Sequence, residues 1–407
     1  MAEKQDYTKD KGDTGDTGDT GPAGPDGPTG PEGPPGTTVW DDITDKPGTF
    51  PPEDHSADHE NGGDQEVSVL GLSGELADPQ NSTILKVAGL FERLATLSVA
   101  NCVMRVSPSI NNWISICWSP ELSLFVAVSL SGHIDRVMTS PTGAVWTART
   151  TPNDNNYIAV CWSPELPLFA AVSNTGVGNR VMTSPNGINW SAQTSIIDSG
   201  WAAICWSPEL SLFVAVAYTG SGNRVMTSPN GSNWTDRTEA AALSWRSICW
   251  SPELTLFVAV AYSGTGNRVM TSPDGSNWTS QASAADNEWR SVCWSPERSL
   301  FVAVSVTGIG NRVMTSPNGT TWTSQVSPID NDWEAVIWSP DLARFIALAK
   351  AGVRSFLMTS PDGITWTPQP VPLLLSWRSL AWSPELRAFA AVAYADSFDT
   401  IMTSLYY

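Results

Sequence analysis

From residue 101 onward, short apolar runs alternate with fixed polar punctuation. One unit reads Trp245-Arg246-Ser247-Ile248-Cys249-Trp250-Ser251, a Pro252-Glu253-Leu254 turn, then Leu256-Phe257-Val258-Ala259-Val260-Ala261. After a polar stretch come Arg268-Val269-Met270-Thr271-Ser272, a Pro273-Asp274-Gly275 turn and Asn277-Trp278-Thr279. Short runs rich in β-branched and aromatic residues, bounded by Pro, Gly, Asn and Asp, predict strands A to D of one antiparallel unit. The runs are apolar on both sides, so each sheet is expected to lie sandwiched between two others.

The unit repeats. Trp-Ser-Pro begins at Trp118, Trp162, Trp206, Trp250, Trp294, Trp338 and Trp382, a constant spacing of 44 residues. A period of about 40–45 residues with four strands predicts a β-propeller blade. Seven such units account, to within one residue, for the 307 residues of 101–407. The fold expected is all-β, a seven-bladed propeller with four-stranded blades. The last unit stops after Ile401-Met402-Thr403-Ser404 without a strand D, while Asn101–Pro108 aligns with Thr321–Pro328, a strand D and its loop. The N-terminal segment is therefore predicted to close the last blade and remove the open edge. Near-identical units supply many similar surfaces, which argues for a binding module and against an enzyme.

Six hairpins carry Ser-Pro-(Asn/Asp/Thr)-Gly-x-x-Trp, ending at Trp146, Trp190, Trp234, Trp278, Trp322 and Trp366. Asn-Gly and Asp-Gly predict tight turns with positive φ at both central positions. The motif resembles the Asp-box hairpin of sialidase-like propellers, although it is one residue shorter and has a true Asp only at Asp274 and Asp362. In that family the box is a structural clasp, so the resemblance implies fold and not catalysis.

The stretch before the propeller has another character. Residues 1–100 carry net charge −14 and residues 101–407 carry −5, of −19 in total. Such a chain lacks the basic footprint of nucleic-acid binding and is repelled by anionic membranes. No run of 18 apolar residues occurs and the Met1–Asp6 start has no apolar segment, so neither membrane insertion nor a signal peptide is expected. From Gly12 to Gly36 glycine falls at every third position, nine times. This Gly-X-Y register predicts a collagen-like triple helix over 12–38 and hence a homotrimer, with a stalk about 80 Å long. Residues 1–11 precede it and an acidic connector, 39–100, follows. Ile84, Ala88, Phe91 and Ala95 space a short trimeric helix over 83–97. His55 and His59 would be the metal ligands at a trimer axis, but solvated histidines in a connector are the favoured reading, and neither metal nor cofactor is expected. Cys117, Cys161, Cys205, Cys249 and Cys293 precede the repeated Trp, a slot filled by Ile337 and Ala381 elsewhere. They are expected to be buried free thiols.

Comparison between repeats locates the working face. The A–B and C–D turns barely change, while the B–C and D–A loops vary, and both variable classes fall on one face of an up-down blade. Strand A opens with Trp113, Tyr157, Trp201, Trp245, Trp289, Trp333 or Trp377, either sugar-stacking platforms or wedges between blades. The next residue is Ile114, Ile158 and Ala202, then Arg246, Arg290, Glu334 and Arg378. Strand A lies nearest the axis, so three arginines are candidates to hold a carboxylate or phosphate at the channel mouth. Arg136, Arg180, Arg224, Arg268 and Arg312, one per blade in strand C and far from the axis, are expected to be structural.

The collagen-like stretch, Val39-Trp40-Asp41-Asp42-Ile43-Thr44-Asp45-Lys46-Pro47 and Leu72-Ser73-Gly74-Glu75-Leu76-Ala77-Asp78-Pro79-Gln80 resemble bacteriophage tail-fibre proteins. The resemblance covers roughly residues 1–82. It implies a virion component made in the host cytoplasm, with residues 1–11 docked to a tail or baseplate protein. The propeller would then be a receptor-binding head for a host-surface glycan. The alternatives are a structural fibre whose heads bind other virion proteins and, through the arginines, a surface-polysaccharide glycosidase.

Overall fold

The computed structural model describes residues 102–407, apart from 221–222, 353–355, 395–396 and 405–407. The collagen-like stalk, the connector, the 83–97 helix, His55 and His59 lie outside the described residues. Among those described, seven four-stranded antiparallel sheets form a β-propeller. Blade 1 comprises strands A (Trp113–Ser119), B (Leu124–Ser129), C (Val137–Ser140) and D (Thr147–Arg149). Blades 2 to 6 repeat this meander. Strand A of each blade packs against strand A of the next, and that of blade 7 against that of blade 1. The ring is closed.

Blade 7 is built from both ends of the propeller. Its strands A (Ser376–Ser383), B (Ala388–Tyr394) and C (Ile401–Ser404) receive a closing strand, Cys102–Arg105, as their fourth member. Cys102 faces Ser404 and Arg105 faces Ile401, and the Arg105 Nε donates to Thr403 Oγ1 at 3.0 Å. The predicted closure is present.

Each repeated aromatic has a packing role. In blade 1 the Trp118 ring lies 4.5 Å from Phe125, whose other side meets Trp146 of the C–D turn at 6.2 Å. The same triad recurs through blade 6, with Trp338, Phe345 and Trp366. Full burial of each strand-B Phe is worth about 2–3 kcal/mol. Strand B, buried over its Phe and the four residues after it, forms the middle of the sandwich.

The hairpin differs from expectation in a way its residues explain. Gly275 has φ of 71°, but Asp274 before it is not left-handed. The Asp274 carboxylate instead accepts the backbone N–H of Ser276 and of Asn277, both at 2.8 Å. The Trp278 indole then donates to the Gly275 carbonyl at 3.0 Å. The turn thus holds Asn277 and Trp278, and strand D runs Thr279–Gln281, later than Asn277–Thr279. Burial raises the Asp274 pKa, but four hydrogen bonds to its carboxylate outweigh that and hold it at about 2.

Candidate functional site: the axial cavity

A β-bulge builds the site. In every blade the register slips after the aromatic residue that opens strand A, between Trp245 and Ser247 in blade 4 and between Trp113 and Ser115 in blade 1. The skipped residue is the variable one: Ile114, Ile158, Ala202, Arg246, Arg290, Glu334 or Arg378. Bulges re-aim a side chain out of the pleat, and here all seven line one axial cavity of about 220 Å³. Ring order divides the lining into two arcs. Blades 1 to 3 contribute apolar side chains and blades 4 to 7 contribute charges. Below them, serines tie neighbouring strands: Ser115 Oγ accepts Val160 N–H at 3.2 Å and Ser291 Oγ accepts Val336 N–H at 3.1 Å.

The charged arc is held by residues the repeat comparison missed. Arg246 lies over the Tyr218 ring at 4.2 Å and within 5.4 Å of Tyr262, which also carries Arg290 at 4.6 Å. Arg378 covers Tyr394 at 3.8 Å. Desolvated contacts of this kind are worth about 2 kcal/mol each. Tyr218, Tyr262 and Tyr394 occupy the column at the end of strand B, with Lys350 in blade 6. Tyrosines at the end of strand B in blades 3, 4 and 7, each facing an arginine of its own or the next blade, were the available signal.

Glu334 sits among the cations. Its Oε1 lies 3.4 Å from Arg378 Nη1, and its Oε2 lies 3.4 Å from Lys350 Nζ and 4.0 Å from Arg290 Nε. The Nε atoms of Arg246, Arg290 and Arg378 and the Oε2 of Glu334 are buried without a hydrogen-bond partner among the described residues. The Arg246 guanidinium is drawn below its ordinary pKa by burial and then by Arg290, against Tyr218, Glu334 and Tyr262. Burial pushes Tyr394 up to about 12, with Arg378 opposing and Glu334 adding to the rise. Stacked guanidiniums with unsatisfied in-plane donors are suited to planar or tetrahedral oxyanions.

The seven strand-A aromatics do not serve as stacking platforms. Trp113, Tyr157, Trp201, Trp245, Trp289, Trp333 and Trp377 are all fully buried, with no ring face left for a sugar. They are wedges between blades, and several are tied down. Tyr157 donates to Asn153 Oδ1 at 2.6 Å and Trp245 to the Ala241 carbonyl at 3.0 Å. Their position before the bulge turns them away from the axis.

The arginines before strand C behave as expected. Arg180 donates to the carbonyls of Gly176, Asn174 and Ser199 and pairs with Asp198 at 3.3 Å, stitching a B–C loop to a D–A loop. Both variable loop classes therefore share one face. Cys117, Cys161, Cys205, Cys249 and Cys293 are free and part-buried, and burial raises the thiol pKa at Cys117, Cys205 and Cys293.

No protein-family profile and no curated protein matches this sequence. Solved structures do match the fold. A streptogramin B lyase superposes with TM-score 0.62 at 8% identity, over 74% of this chain and 96% of that one. Virginiamycin B lyase from Staphylococcus aureus gives 0.62 at 11% identity, over 75% and 98%. YCF48 bound to D1 peptide gives 0.57 at 15% identity, over 75% and 97%. At these identities the likeness establishes the propeller fold alone. It corrects one inference: repetition of near-identical blades does not argue against an enzyme, because two lyases have this fold.

Proposed function

We propose that this chain is a trimeric receptor-binding fibre of a bacteriophage tail, and that its propeller heads take an acidic glycan of the host surface in the axial cavity. The carrying observation is the convergence of Arg246, Arg290 and Arg378 on one cavity, with buried Nε donors that no group among the described residues satisfies. An oxyanion completes those donors. The apolar arc of Ile114, Ile158 and Ala202 accepts the carbon skeleton beside it. The fibre reading is supported by the Gly-X-Y register and the Trp-Asp-Asp-Ile-Thr segment. Three heads on one stalk convert a weak single-site contact into avidity.

A glycan screen of the full-length protein tests this. Acidic glycans should be retained and neutral ones should not. Arg290→Ala with Arg378→Ala should weaken retention by about a hundredfold, for two charge-assisted hydrogen bonds of about 1.5 kcal/mol each. Equal retention of neutral glycans, or retention unaffected by both substitutions, overturns the assignment. Soluble fragments released during the incubation, and lost in the same variant, would indicate cleavage.

A further inference from the structure

We propose that Glu334 is a built-in counter-ion of the anion site, holding the arginine cluster together while empty and limiting its affinity for a ligand. The proposal rests on the axial cavity being an anion site and identifies what regulates it.

The position of Glu334 in the repeat is the first argument. It occupies the bulge slot that carries arginine in blades 4, 5 and 7, so a carboxylate stands inside an otherwise cationic arc. Geometry is the second. Glu334 reaches Arg378, Lys350 and Arg290, in three different blades, at 3.4, 3.4 and 4.0 Å. None of these is a short contact. A carboxylate dedicated to one arginine would close a bidentate pair at about 2.8 Å. This one shares itself among three cations and leaves its own Oε2 without a hydrogen bond. It occupies the place an incoming oxyanion would take, without satisfying the donors as an oxyanion could.

Charge counting gives the consequence. Arg246, Arg290, Lys350 and Arg378 bring four positive charges and Glu334 one negative, with Tyr218, Tyr262 and Tyr394 as the neutral groups stacked against them. The net excess invites an anion, while Glu334 repels it from a few ångströms. At that range in a partly buried site, one unit charge shifts an anion's affinity by about tenfold or more. Removing that charge should strengthen oxyanion binding even though it removes an ion pair. A purely structural Glu334 makes the opposite prediction, since its loss would disorder the arginines and weaken the site.

The test is calorimetric titration of the full-length protein with inorganic phosphate at constant ionic strength, comparing wild type, Arg290→Ala, Glu334→Gln and Glu334→Ala. Thermal melts with and without phosphate accompany it. The expected result is an affinity gain of about tenfold or more in both Glu334 variants. Each should melt below wild type without phosphate and recover more of its stability when phosphate is added. Phosphate binding that Arg290→Ala weakens but Glu334→Gln and Glu334→Ala leave equal or weaker overturns the counter-ion role and leaves the anion site standing. No phosphate binding in any form overturns both. If one Glu334 variant fails to fold, the other decides the outcome.

Discussion

Trp162 reaches across a blade boundary: its indole Nε1 donates to Glu121 Oε2 at 2.6 Å. The Trp of Trp-Ser-Pro thus bonds the carboxylate of the preceding A–B turn. The pattern recurs with Trp206 and Glu165, Trp250 and Glu209, and Trp294 and Glu253. Trp118 and Glu385 carry it across the junction of the first and last blades at 2.7 Å. Blade 6 breaks the series. The Trp338 indole N–H is buried without a partner, and Arg298 lies 5.9 Å over its ring instead. Glu165→Ala should therefore lower unfolding free energy by about 1–3 kcal/mol, the cost of an unsatisfied buried donor. Glu297→Ala, at the equivalent turn position beside Trp338, should change it by less than about 0.5 kcal/mol. Urea unfolding of the two variants checks this, and equal losses would refute the clasp.

The repeat made much of this fold legible. A period of 44 residues pins register, so strand A at Trp245–Ser251 and strand B at Leu256–Ala261 fall where the apolar runs place them. Strand D was displaced because side-chain capping by Asp274 extends the turn, which hydrophobicity does not record. The arginine column was legible as a break in the repeat. Its orientation depends on the bulge after Trp245, and a bulge leaves no residue-type signature in a strand of this composition. Lys350 and Tyr262 lie where strand B passes into the variable loop, so their variation looked like loop variation.

Acid should expose the difference between the Asp and Asn versions of the hairpin. Asn318 caps its turn with the same two backbone bonds, at 3.0 and 2.9 Å, and has no charge to lose. The Asp274 pKa is held at about 2 and that of Asp362 is also lowered. An unfolded aspartate titrates near about 3.9. A depressed folded pKa stabilises above the unfolded value and is lost as pH falls through the folded one. Wild type should thus melt above the Asp274→Asn, Asp362→Asn double variant at pH 6. The gap should narrow below about pH 4 and have largely gone at about pH 2. A gap independent of pH would refute the assignment.

Pro167 sits badly in its turn. The residue before strand B is left-handed in the other blades, with φ of 46° at Ser123, 48° at Ser211 and 49° at Arg387. Its N–H bonds the turn proline carbonyl, as Ser211 does to Pro208 at 3.1 Å. Proline has no N–H to give, and its ring favours φ near about −65°, whereas Pro167 is held at 25°. Pro167→Ser should relieve this strain and restore the bond, raising stability by about 1–2 kcal/mol. Unchanged or lower stability in denaturant titration would count against the strain.

The two arcs of the cavity can be tested as one electrostatic space. Ile158 lines the same cavity as Arg290 and Arg378 but is offered by blade 2, outside the cationic arc. If an anion enters between the arcs, a negative charge at 158 acts on it through the cavity without touching any arginine. Ile158→Asp should weaken phosphate binding about tenfold, in keeping with one unit charge at several ångströms in a partly screened site. Ile158→Asn, of nearly the same volume and uncharged, is the control for lost packing and should cost much less. Because the effect is Coulombic, the difference between the two variants should shrink between 20 mM and 500 mM sodium chloride, as the screening length falls from roughly 20 Å to about 4 Å. Titration calorimetry on both variants at both salt concentrations decides it. Equal affinities for the Asp and Asn forms would place the bound anion outside the space between the arcs.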